Sequence, residues 1–158
     1  MNLALTDKQA QRLINLAKTI IKKCKIDLLK HPNGLIMIAI KGKPNIARFN
    51  LYYSYAIGEI HFNFLDTKTN LTLVRINLDN KFHKNADGKK ISGNRVELFS
   101  SKEFFEKNDG VTQVKAYKLP YKTLNNPTSF SEGLAELLDY TQVKDTKKLK
   151  IQPEIISG

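Results

Sequence analysis

Phe49-Asn-Leu-Tyr-Tyr-Ser-Tyr-Ala-Ile-Gly-Glu-Ile-His-Phe-Asn-Phe-Leu-Asp66 holds two alternating segments on either side of a glycine. Phe49, Leu51, Tyr53 and Tyr55 alternate with Asn50, Tyr52 and Ser54, the period of two of a half-buried strand. Gly58 marks a turn, after which Ile60, Phe62 and Phe64 share one face and His61 and Asn63 the other. Asp66 to Asn70 closes a hairpin onto a third strand, with Thr72, Val74, Ile76 and Leu78 on one face and Arg75 and Asn77 opposite. Connections this short leave no room for the crossovers of a doubly wound parallel sheet.

Toward the N-terminus, Leu35 to Ile40 reads as a buried strand between the turns His31-Pro32-Asn33-Gly34 and Lys41 to Asn45. Before it, Thr6 and Gln9 have the spacing of a capping box. Leu13, Ile14, Ala17, Ile20, Ile21 and Cys24 follow at helical spacing, which predicts one long helix carrying Lys18, Lys22 and Lys23 largely off its apolar stripe.

Toward the C-terminus, His83-Lys84-Asn85-Ala86-Asp87-Gly88 is an expected ordered turn, followed by a strand from Arg95 to Phe99. Ser100 to Glu103 predicts a capped short helix, Val111 to Leu119 a last strand, and Ser129 to Glu132 the cap of a final helix with Phe130, Leu134, Leu137 and Leu138 on one face. The expected fold is α+β: one domain over residues 1–143, an antiparallel meander-like sheet of about six strands, and an N-terminal and a C-terminal helix packed on one face. Residues 144–158 are expected to be a loosely attached basic tail.

The net charge is +11. Ten Lys and Arg stand against two Asp and Glu in residues 1–50, so the basic field belongs to the N-terminal third and suits a nucleic acid or an acidic protein surface. The single Cys24 excludes an internal disulfide and fits a reducing compartment. No apolar run approaches the ~18 residues of a membrane span. A soluble, cytoplasmic protein is expected.

His31, His61 and His83 are scattered, and no metal-ligand spacing, phosphate-binding loop or cofactor motif occurs, so no metal and no cofactor are expected. One enzyme reading survives. His61, His83, Arg75, Arg95 and Glu97 could converge across the sheet as the acid, base and phosphate clamp of a small metal-independent ribonuclease. A second reading takes Tyr52, on the polar face of its strand, as a stacking platform for single-stranded bases or an anchor for a protein.

Leu73 to Leu78, His83 to Gly88, Ile91, Gly93 to Ser100 and Ala116 to Pro120 together resemble a family of small proteins from phages and mobile elements of Gram-positive bacteria. That pattern has a strand ending R-[IL]-[DN]-[IL], then H-x-N-x-D-G, then a strand with two histidines. Asn94 and Val96 or Glu97 stand near where those histidines would fall, which weakens any nuclease the resemblance implies. In size, Lys and Asn content and scarcity of cysteine the chain also resembles staphylococcal anti-CRISPR proteins. That resemblance implies a non-enzymatic inhibitor that binds guide-loaded Cas9. A basic binder suits the acidic, metal-holding surface of the HNH nuclease domain better than the arginines that read the PAM. The expected partner-binding residues are Lys18, Lys22, Lys23, Tyr52, Arg75 and Arg95, with a basic nucleic-acid-binding protein as the alternative.

Overall fold

The computed structural model describes residues 3–152. In chain order the elements are α1 (Asp7–Asn15), β1 (Lys18–Ile20), β2 (Cys24–Ile26), β3 (Asn33–Ile40), β4 (Arg48–Ala56), β5 (Glu59–Asp66), β6 (Thr72–Leu78), β7 (Phe82–Lys84), β8 (Lys90–Ser92), β9 (Arg95–Phe99), α2 (Ser101–Lys107), β10 (Val114–Lys118), α3 (Phe130–Tyr140), β11 (Val143–Asp145) and β12 (Leu149–Ile151).

The opening stretch forms the centre as read. β3, β4, β5 and β6 are antiparallel neighbours in an eight-stranded sheet of order β10-β9-β6-β5-β4-β3-β1-β11. The six-strand meander with two helices is nevertheless wrong. The sheet is mixed, because β1 pairs with β11 in parallel; β12 and β2 pair in parallel beside it, β7 and β8 form a separate hairpin, and the described residues hold three helices.

The largest correction lies in the first helix. The capping box is present, with the Thr6 hydroxyl accepting from Gln9 N and Gln9 Oε1 accepting from Thr6 N, but the helix ends at Asn15 and Leu16 is already extended. Thr19, Ile20 and Ile21 are β-branched and favour the pleated conformation. Ile20, expected on a helical stripe, instead fills the core from β1, so Lys18, Lys22 and Lys23 are not helical. Of the expected tail, Lys144 and Asp145 belong to β11 and Leu149–Ile151 to β12, while residues 153–158 lie outside the described residues.

The core lies between one face of the sheet and the helices α1 and α3. Ala10 and Ile14 from α1, and Phe130, Leu134, Leu137 and Leu138 from α3, join Phe49, Leu51, Phe62, Phe64, Val74 and Ile76 in one buried cluster. Phe130 meets the rings of Tyr53 and Phe62 at 5.4 and 5.0 Å. A Cβ at Gly133 would lie 2.8 Å from the Phe62 ring, so glycine there lets α3 approach the sheet closely. The opposite face of the sheet keeps its polar residues. No helix among the described residues is long and apolar enough to cross a membrane.

Candidate functional site

Strand register assembles the site. Across β4, β5, β6 and β9 one row reads Tyr52, Asn63, Arg75, Glu97, and the next reads Ser54, His61, Asn77, Arg95. Side chains opposite one another on one face of a sheet touch. Both rows lie on the face turned away from the core and line a cleft of about 440 Å³.

The β7–β8 hairpin adds one residue from above the sheet. It is pinned through Asn85, whose side chain accepts from Ala116 N at 2.9 Å and donates to Ala116 O at 3.0 Å, like one more residue pairing with the edge strand. Glu103 does not close a capping box; its carboxylate accepts from Ala86 N, although Ser100 caps α2 as expected. Asp87 Oδ1 accepts from Lys89 N and Gly88 has φ +89°, so the expected ordered turn is present within a hairpin. The pinned hairpin sets His83 against Glu97, with His83 Nδ1 2.8 Å from Oε1.

The hydrogen bonds fix the protons. Asn77 Nδ2 donates to Glu97 Oε2 at 2.7 Å, so Asn77 Oδ1 faces His61 Nδ1, also at 2.7 Å. An amide oxygen only accepts, which places a proton on His61 Nδ1 and leaves Nε2 for exchange with a ligand. Asp79 Oδ2 stands 3.7 Å from the same His61 nitrogen, and Asp79 Oδ1 accepts from Arg95 at 2.6 Å. Arg75 lies 3.8 Å from Glu97 Oε2 with its side chain 38% exposed.

Burial works against the charge on Glu97, but the hydrogen bond from His83 and the positive charges of Arg75, His83 and Arg95 outweigh it and hold the carboxyl below the ordinary glutamate range. Asp79 is held low in the same way, burial being overcome by bonds from Arg95 and the Lys81 backbone. Asp79 Oδ2, His83 Nε2 and Arg95 Nε are buried without a partner among the described residues. The arrangement is an ionised, fixed carboxylate and an oriented imidazole at the two ends of one amide, with a guanidinium beside them. It can move protons and hold an anion. Among the described residues no three His, Cys, Asp or Glu side chains group as metal ligands.

The structure therefore gathers His61, Arg75, Arg95 and Glu97 with Tyr52 in one cleft, and His83 joins through Glu97. Lys22 and Lys23 are exposed in the β1–β2 connection and line a separate groove. Lys18 is fully buried on β1, and Arg95 is buried with Asp79, so neither offers a docking surface. Asn77 and Asp79 escaped the sequence reading as functional residues. Alternation had already put Asn77 on the polar face beside Arg75, while Asp79 lies just beyond the strand end, where alternation gives no signal.

Residues 5–143 match a family of unknown function, DUF6978, and the chain belongs to that family. No curated protein and no solved structure matches it.

Proposed function

We propose that the chain is a small ribonuclease that works by acid–base chemistry without needing a metal. One observation carries this reading: the Asn77 amide holds His61 at one end and Glu97 at the other, each at 2.7 Å. An acid and a base so close can flank one phosphorus atom. Glu97, kept ionised by its neighbours, takes the proton of a ribose 2′-hydroxyl as that oxygen attacks the phosphorus. His61, protonated at Nε2, gives its proton to the departing 5′-oxygen. The P–O5′ bond breaks as the P–O2′ bond forms, leaving a 2′,3′-cyclic phosphate and a 5′-hydroxyl with no redox change and no co-reactant. Arg75 holds the non-bridging oxygens as their charge develops, and His83 positions Glu97. The net charge of +11 favours a polyanion, and a cytoplasmic setting belongs to the same proposal.

The Cas9-inhibitor reading draws on the same basic charge but loses Lys18 and Arg95 to burial. The test is incubation of end-labelled RNA with the protein in chelator, alongside a 2′-deoxy strand of the same sequence. RNA should be cut to cyclic-phosphate ends and the deoxy strand left intact, with His61→Ala and Glu97→Gln each slowing cleavage roughly 10²–10⁴-fold. Cleavage unaffected by both substitutions, or no cleavage of any RNA, refutes the proposal.

A further inference from the structure

Resting on that reading, we infer that the substrate is a single strand, bound across the sheet from the cleft to a second phosphate-binding groove at Lys22, Lys23 and Lys25. That groove has a volume of about 340 Å³, and Cys24, Leu35 and Met37 complete its lining. All three lysines are exposed, and none forms an ion pair among the described residues.

The groove and the cleft are joined by strand register. Leu35, in the groove, pairs with Tyr52, in the cleft, and the row continues through Asn63 and Arg75 to Glu97. Four strand spacings put its ends about 19 Å apart. The row changes chemistry along its length. Glu97 and Arg75 act at one phosphate. Asn63 has its Oδ1 occupied by the Thr72 hydroxyl, which leaves its Nδ2 donor for a base edge. Tyr52 and Leu35 are 45% and 36% exposed, a flat apolar step in a polar face. The lysines follow.

An aromatic step between cationic groups is the pattern that tracks a single strand, with a base on the ring and phosphates on the lysines. A duplex keeps its bases stacked on one another and has none to give Tyr52. The stacking step and its continuity with the phosphate-directed cleft favour the nucleic acid over an acidic protein.

The experiment measures binding with a probe that cannot be cut: a fluorescent single-stranded 2′-deoxy oligonucleotide of about twelve nucleotides, within the site sizes of such grooves. Tyr52→Ala should weaken binding about 5- to 150-fold while Tyr52→Phe retains most of it. Replacing Lys22, Lys23 and Lys25 together by Gln should weaken binding and flatten the plot of log affinity against log salt by about 2. In cleavage, the same triple variant should lose more on a long RNA than on a dinucleotide. If Tyr52→Ala and the triple variant bind as wild type does, or if duplex binds as tightly as single strand, the inference is overturned even where RNA is cleaved. If the binding losses occur but the wild type cuts no RNA, the strand track stands and the ribonuclease reading falls.

Discussion

Lys18 should be one of the most expensive side chains in the molecule to remove. It is fully buried, and its Nζ donates to the carbonyls of Ile14, Leu16 and Thr141 at 2.8, 2.7 and 2.7 Å. The first two close the C-terminal end of α1 and the third is the C-cap of α3, so one ammonium satisfies the negative ends of two helices. It also sits 5.1 Å from the centre of the Phe49 ring. Lys18→Met keeps the length and the apolar stem but strands the three carbonyls away from water. With each orphaned acceptor costing about 1–3 kcal/mol and part of that recovered by relaxation, the loss should be about 3–5 kcal/mol. In a chain of this size that lowers the melting temperature by roughly 10 °C. Burial also pulls the Lys18 ammonium down to about 7 from 10.5. Between those values the unfolded chain binds the proton that the fold has released, so the contribution of this group to stability rises with pH across that window. The slope is at most about 1.4 kcal/mol per pH unit, the limit set by the one proton that this group binds or releases. Urea unfolding at pH 7, 8 and 9, followed by circular dichroism, measures both effects. Equal midpoints for the two proteins at pH 7, or a wild type that does not gain on the variant toward pH 9, would show that Lys18 does not carry this stability.

His83→Ala removes the hydrogen bond that does most to keep Glu97 ionised; the acid limb of kcat/KM should move to higher pH, which a profile on a dinucleotide substrate reads directly. An unmoved limb would detach His83 from the chemistry. Asn85→Ala breaks both bonds that pin the hairpin to Ala116 and leaves that edge backbone unsatisfied; it should cost about 2–3 kcal/mol in chemical unfolding and raise amide exchange through β7 and β8. Exchange unchanged in the hairpin would mean that Asn85 does not anchor it.

The centre of the fold was legible because its side chains obey one period. From β4 to β6 each strand has one apolar and one polar face, and nothing else competes with that signal. The first helix failed where two patterns overlap. Ile14, Ile20 and Ile21 fit a helical stripe as well as a strand, and the decisive fact, a lysine neutralising two helix ends from inside the core, involves Thr141, which is far away in sequence. The parallel pairings of β1 with β11 and of β2 with β12 were hidden for the same reason. Strands of three residues carry almost no periodicity, and their partners lie at the far end of the chain.

The site was legible as a set of residues and illegible as a machine. Alternation put His61 and Arg75 on the polar faces of paired strands, while Glu97 was named beside them with no face assigned. It could not show that Asn77, an ordinary polar position, spans the His61 imidazole and the Glu97 carboxylate, nor that an asparagine in a turn pins the hairpin carrying His83 to the edge strand. Both are links between side chains of different strands, set by register, and register is a property of pairs. The buried ionic cluster around Asp79, Arg95 and Glu97 makes the same point energetically. Charges taken out of water are tolerated only when each finds an opposite charge or a donor, and the rows of the sheet supply them across the strands. That leaves His61 and Arg75 at the open side of the cleft, their side chains 34% and 38% exposed, above the Glu97 carboxylate that lines its floor.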